Sequence, residues 1–295
     1  MRTWESVGEM EKLDEKYITV EGVAIRYVVS GGGAPTLLIH GFGEFLEVWW
    51  FNINPLSEHC QVYAVDLPGH GLSSKPAVDY SISFIHECIV NFMQAVGMEH
   101  ANLIGHSMGG GIALSMAINF PDKVDKLILV DTAGLSTEAS LLHRLCTLPV
   151  LGKIIMGPTI KAGLRYGMKK AFYNPNLLTE EMVNKIYEFQ KIPGTKQAML
   201  SLIRSNANIS GPHPEKNTAD KLHLIKSPTL LIHGAQDEVI PVEHAQNACQ
   251  VIPNARLKVV DECGHCPHIE KAAEFNEAVI AFLKYNELRG GQSVG

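Results

Sequence analysis

Six short apolar runs, TLLIH (36–40), VYAVD (62–66), NLIGH (102–106), KLILVD (126–131), TLLIHG (229–234) and RLKVVD (256–261), punctuate the chain. Each is too short for a helix and mainly apolar, the pattern of a strand buried on both faces. Between most of them lie segments of helical period. In SFIHECIVNFMQAVG (83–97), Phe84, Ile85, Cys88, Ile89, Phe92, Met93 and Val96 share one face, and Gly97 ends the pattern. HAQNACQVI (244–252) and KAAEFNEAVIAFLKY (271–285) behave alike. YITVEGVAIRYVV (17–29) instead alternates, as an antiparallel edge hairpin should. Strand–helix alternation predicts an α/β fold, a mainly parallel sheet with helices on both faces.

The alternation breaks once. Residues 135–221 hold no buried-strand run, only helical segments such as STEASLLHRLC, LTEEMVNKIYEF and TKQAMLSLIRSNA, separated by Pro149, Pro158, Pro175, Pro193, Pro212 and Pro214. The expected organisation is a core of residues 1–134 and 222–295 interrupted by a helical cap at 135–221.

With 295 residues, 46% of them hydrophobic, the chain can bury one large core. A net charge of −6 argues against a nucleic-acid partner. No block of like charge suggests a membrane-binding patch, and no run of about 18 uncharged apolar residues could span a bilayer. MRTWESVGEMEKLDEKY at the start lacks the apolar region of a signal peptide. Six scattered cysteines fit free thiols in a reducing cytoplasm. Oligomeric state is not legible.

GHSMGG (105–110) follows the apolar run NLI and opens into GIALSMAINF. Strand, tight turn and helix lift the Ser107 hydroxyl to the C-terminal end of the sheet, where open α/β sheets place their sites. A serine needs a base oriented by a third group. His265 follows RLKVVD and Asp237 follows TLLIH, so both loops open on the same rim as Ser107. The order Ser107, Asp237, His265 is the hydrolase order. Asp131, at the end of the preceding strand, is the rival acid. HGFGE (40–44) emerges beside the elbow, and the backbone N–H groups of Phe42 and Met108 are the expected oxyanion donors. His106, inside the elbow, should turn its ring away from the serine. His40 and His70 should make structural hydrogen bonds in their turns.

Together HGFG, DLPGHGLSS (66–74), GHSMGG, FPDKVDKLILVDTAG (120–134), LLIHGAQDEVIP (230–241) and GHCPHIE (264–270) resemble the α/β-hydrolase superfamily over nearly the whole chain. The resemblance implies a sheet of about eight strands, a helical cap over the site and no cofactor. Ser107 at the elbow disfavours the dehalogenase and epoxide-hydrolase branches, which usually carry Asp there. The leading expectation is a carboxylesterase acting on small-molecule esters with short-to-medium acyl groups. The alternative is a hydrolase of the carbon–carbon bond in ring-fission products; those enzymes often carry Trp after the histidine, where this chain has Cys266. A slow hydrolase-type ligand receptor is the expectation from another class. Trp49 and Trp50 are candidate pocket residues, and Arg165 or Arg204 would bind the carboxylate of a ring-fission substrate. Cys263, Cys266 and His268 surround His265, but no second ligand pair accompanies them, so no metal is expected.

Overall fold

The computed structural model describes residues 14–138, 141–157, 160–213 and 217–284, without the side chains of 141–143. Pro158, Pro214, Tyr285 and most of the polar N-terminal stretch lie outside the described residues. Strands β1 (Lys16–Val20), β2 (Val23–Ser30), β3 (Pro35–Ile39), β4 (Gln61–Val65), β5 (Ala101–His106) and β6 (Val124–Val130) precede the insertion. Strands β9 (Thr229–Gly234) and β10 (Ala255–Val260) follow it. These eight form one sheet in the order β1-β2-β4-β3-β5-β6-β9-β10. β1 and β2 pair antiparallel, β2 meets β4 antiparallel, and the other neighbours are parallel. The expected hairpin at 17–29 is therefore the sheet edge.

All but the last of the apolar runs are buried on both faces because alternate residues feed two cores, whereas β10, at the far edge of the sheet, leaves Arg256 and Lys258 exposed and buries only Val260. Leu37, Ile39, Leu103, Leu127, Leu129 and Leu231 join one, against α2 (Ile82–Ala95), α3 (Met108–Asn119) and α9 (Val242–Val251). Leu38, Ile104, Ile128, Val130, Leu230 and Ile232 join the other, against α1 (Trp50–Ser57) and α11 (Ala272–Lys284). Each such side chain contributes about 1.5–3 kcal/mol on burial. Helix α2 starts where the Ser81 side chain accepts the Phe84 N–H. It stops at Gly97, whose φ of 76° lets Gly97 and Met98 donate back to Gln94 and Met93.

Between β6 and β9 lie α4 (Leu141–Cys146), α5 (Pro149–Ile155), α6 (Lys161–Ala171), α7 (Glu180–Lys191) and α8 (Thr195–Asn206). A ribbon of two-residue strands, β7 (Ala207–Asn208) and β8 (Gly211–Pro212), follows. Strands this short carry no readable alternation, so the sequence gives no sign of them. The insertion packs on the rim where the parallel strands end. Phe189 meets Phe45 with ring centroids 4.3 Å apart, and Lys185 pairs with Glu47 at 3.2 Å. Met199 sits directly over Gly43. The Ala171 carbonyl accepts the backbone N–H of His265 at 2.7 Å.

Candidate functional site

Ser107 stands between β5 and α3 with φ 51° and ψ −115°, a conformation rare for any residue with a side chain. Hydrogen bonds through its own backbone hold it there. Its N–H donates to the Val130 carbonyl at 2.8 Å, and its carbonyl accepts from Ala133 at 3.1 Å. The neighbouring glycines are needed for space. A Cβ on Gly105 would strike the Gly109 backbone, one on Gly109 would strike the Ile39 and His40 carbonyls, and one on Gly110 would strike Thr132. GHSMGG is thus the sequence of a turn clamped between β3 and the β6 end.

His265 occupies the loop between β10 and the short helix α10 (Pro267–Glu270). Its Nδ1 lies 2.7 Å from Asp237 Oδ2. The other Asp237 oxygen accepts the N–H groups of Val239 at 2.7 Å and Ile240 at 3.0 Å, and His233 Nε2 stands 3.4 Å from Oδ2. Burial would raise this carboxyl, but the bonds from His233 and His265 hold it well below the usual carboxylate range. Burial lowers the His265 imidazole below its ordinary value, and Asp237 offsets only part of that. No hydrogen bond joins the Ser107 hydroxyl to His265 among the described residues.

Asp131 is buried beside this pair, with φ 42°. Its Oδ1 accepts the Gly234 N–H at 3.0 Å. Burial and the Asp237 charge raise its carboxyl well above the ordinary value, so it stays protonated where Asp237 is ionised. Both acids at the strand ends come close to His265, and Asp237 is the one that bonds it.

The HGFGE loop is tied to the same cluster by a contact that nothing in the sequence marks. Glu44 Oε2 accepts the Gly41 N–H at 2.6 Å and lies 3.0 Å from His106 Nδ1. His106 Nε2 lies 2.8 Å from the His265 carbonyl. A carboxylate on one ring nitrogen and a carbonyl on the other require two N–H donors. Burial opposes that charge on His106, yet Glu44 raises the imidazole above its ordinary value. The Glu44 carboxyl falls well below its own, burial notwithstanding, because of His106. This ion pair joins the HGFGE loop, the elbow and the His265 loop. Both His106 ring nitrogens are thereby engaged. His268 is a neutral spacer, packed between Trp49 at 4.6 Å and His106 at 4.4 Å. Burial pushes its imidazole far down.

A second tie is Arg26. Its guanidinium meets Asp66 at 3.1 Å, Glu47 at 3.0 Å and Glu15 at 2.7 Å. Asp66 in turn accepts the N–H of Leu46 at 2.7 Å and of Leu72 at 2.8 Å, tying together the segments that follow the HGFG turn and β4. His40 Nδ1 lies 2.8 Å from the Gly41 carbonyl, its Nε2 accepts the Leu67 N–H at 3.0 Å, and His70 Nδ1 lies 3.2 Å from the Pro68 carbonyl.

Met108 is the first residue of α3, so its N–H has no acceptor within the helix. Phe42 lies half-buried, its ring 6.3 Å from His70. Other expected lining residues fall elsewhere. Trp49 is fully buried in the core beneath the sheet, against Phe275 and His268, and cannot face a substrate. Trp50 packs with Phe172 and Met182 at the seam between core and insertion. Arg165 pairs with Glu180 on α7. Arg204 donates to the Leu148 and Pro149 carbonyls at 3.1 Å and lines a surface cleft with Asp79, Lys153 and Ser201. Both arginines sit on helices whose rotation the sequence does not specify. All six cysteines are free, and burial raises the thiols of Cys263 and Cys266. The Glu44, His106 and Cys266 atoms lie close enough together to suit a metal ion, but Glu44 and His106 already satisfy each other.

An eight-stranded sheet carrying a serine elbow, an Asp–His pair and a glycine-rich loop on one rim defines an α/β hydrolase. The alpha/beta hydrolase fold family matches residues 35–149 and 160–272, and the chain belongs to it. It is 30% identical over 262 residues to the dihydrolipoyllysine-residue acetyltransferase component of the acetoin cleaving system of Cupriavidus necator, covering 88% of this chain and 67% of that one. It is 30% identical to 2-hydroxymuconate semialdehyde hydrolase of Pseudomonas sp. (strain CF600), covering 90% of this chain and 92% of the relative. The meta-cleavage product hydrolase of Pseudomonas fluorescens IP01, solved as a mutant in complex with acetates, superposes with a TM-score of 0.78 at 28% identity, covering 93% of this chain and 98% of that one. Among the described residues no helix is long and apolar enough to cross a membrane.

Proposed function

We propose that this hydrolase cleaves uncharged carboxylic esters through a Ser107 acyl-enzyme, with His265 as base and Asp237 as its orienting acid. The observation that carries the reading is the 2.7 Å contact between Asp237 Oδ2 and His265 Nδ1 on the rim that bears the Ser107 elbow. Asp237 fixes the Nδ1–H tautomer and leaves Nε2 to take the serine proton. Ser107 Oγ adds to the ester carbonyl, and the negative oxygen settles on the N–H groups of Phe42 and Met108. His265 returns the proton to the departing alcohol. Water, deprotonated by the same imidazole, then releases the acid and restores Ser107. Burial that keeps His265 neutral near pH 7 suits a base. Residues 135–221 act as a cap that shields the oxyanion from water. Six free thiols suit the cytoplasm.

Carbon–carbon bond hydrolysis is the second reading, favoured by the likeness to ring-fission product hydrolases. Against it, neither Arg165 nor Arg204 is placed to hold a substrate carboxylate. Turnover of p-nitrophenyl esters from acetate to palmitate, measured beside a dienoate ring-fission product, decides between them. The expectation is a higher kcat/KM on acetate or butyrate, lost roughly 10³-fold or more in Ser107→Ala. Faster turnover of the dienoate would replace the ester reading. Ester turnover surviving Ser107→Ala would remove both.

A further inference from the structure

The overall charge of −6 conceals a strong local reversal. Residues 139–179 contain no Asp or Glu, while Arg144, Lys153, Lys161, Arg165, Lys169 and Lys170 fall within them. Arg165 is matched by Glu180 and Arg144 donates to the Ile209 carbonyl. Lys153, Lys161, Lys169 and Lys170 are exposed, with no ion-pair partner among the described residues.

The same stretch exposes large apolar side chains. Val150 is 71% exposed, Ile154 67%, Ile160 71% and Tyr166 64%. Val150 and Ile154 are one turn apart on α5, with Lys153 beside them. Helix α6 buries none of its residues, and Lys170 lies 5.3 Å over the Tyr166 ring one turn back. A monomeric soluble surface scatters its exposed apolar residues singly; here four fall within one short stretch of chain that also carries the lysines. Exposed apolar side chains bordered by lysines match an anionic lipid surface, where the rings and branched chains enter the headgroup boundary and the ammonium groups meet phosphate; the acids that approach them are Glu180, which pairs with Arg165, and Asp79, which shares a cleft with Lys153. An acidic protein would satisfy the lysines but not the isoleucines.

We propose that the face built from α5, Ile160 and α6 docks this protein on anionic membrane surfaces. Docking is peripheral, since the helices are short and amphipathic. It revises the sequence expectation of no membrane-binding patch, which rested on the absence of consecutive charges. The segment borders the site: α6 ends at Ala171, whose carbonyl accepts the His265 N–H.

Co-sedimentation of the full chain with vesicles tests this. Phosphatidylcholine vesicles containing phosphatidylglycerol should bind the protein at low salt, and release it at high salt; pure phosphatidylcholine should not. Removing one lysine charge near the surface costs about 1 kcal/mol, or about fivefold in partitioning, so Lys169→Gln with Lys170→Gln should weaken binding about 25-fold. Val150→Ser with Ile154→Ser should weaken it about tenfold or more. All four side chains are exposed, so the variants should keep wild-type turnover of p-nitrophenyl butyrate, and Lys226→Gln should bind as wild type. Absence of binding to anionic vesicles, or binding unchanged in both double variants, overturns the proposal. Binding to soluble polyglutamate but not to vesicles would give the face to an acidic macromolecule instead and overturn it equally.

Discussion

Gly109→Ala isolates the link between packing and chemistry. Gly109 lies in the first turn of α3, where alanine suits the backbone, so only space is at issue. A Cβ there would sit 2.5 Å from the His40 carbonyl oxygen and nearer still to that of Ile39. Cβ atoms ordinarily keep beyond 3.4 Å of such neighbours. Elbow and β3 end must therefore separate by about 1 Å, a displacement that costs a reaction on the order of 10²-fold when it falls between catalytic groups. It does fall there, because the proposed donors lie on either side of the contact, Met108 on the elbow and Phe42 just past β3. Overpacking should also lower stability by about 1–3 kcal/mol. The assay is steady-state hydrolysis of p-nitrophenyl butyrate with urea unfolding beside it. We expect kcat to fall about 100-fold with KM little changed, the mark of an interaction made in the transition state. Gly163→Ala is the control: its Cβ would meet open space, so kcat should hold and stability should rise by up to about 1 kcal/mol. A Gly109→Ala enzyme keeping a third or more of wild-type kcat would refute the claim that this contact sets the oxyanion geometry.

Asp237→Asn should lower kcat by about 10⁴-fold, because the amide no longer holds the base in its productive tautomer. Asp131→Asn, which replaces a protonated acid by a neutral amide, should keep kcat within an order of magnitude; the reverse ranking would move the acid to the end of β6. The kcat/KM profile should lose activity as pH falls through a midpoint below 6.5, since burial depresses the His265 imidazole, and a midpoint above 6.5 would contradict that burial. Burial lowers His86 to about 4. Its folded value lies below its unfolded one, so the neutral form is favoured and stability is full above pH 6.5. That stability is lost as pH falls towards 4, at about 3 kcal/mol in all. Urea midpoints should show the loss in wild type and less of it in His86→Leu.

Sequence and tertiary structure divided the work along a physical line. Strand cores, the serine elbow and the order of the site loops are written locally. TLLIH and NLIGH need only their neighbours to be strands, and a parallel sheet must then gather the loops after β3, β5, β9 and β10 on one rim. Steric demand is local too, so GHSMGG announces its turn before any contact is known. What the sequence did not determine is which side chains meet across that rim. Glu44 and His106 are 62 residues apart, and nothing in HGFGE or GHSMGG marks one as the counter-ion of the other. Arg26 and Asp66 are joined in the same way over 40 residues. Trp49 and Trp50 read alike as a pair, yet one rotation of a short helix buries the first under the sheet and leaves the second at the insertion seam. The arginines of the insertion were equally open, because helix packing fixes which face turns inward and composition does not. The lysines of α5 and α6 are too scattered to read as a patch in the sequence, and only the exposure of Val150, Ile154, Ile160 and Tyr166 beside them sets that surface apart, since the same residues turned inward would be an ordinary core.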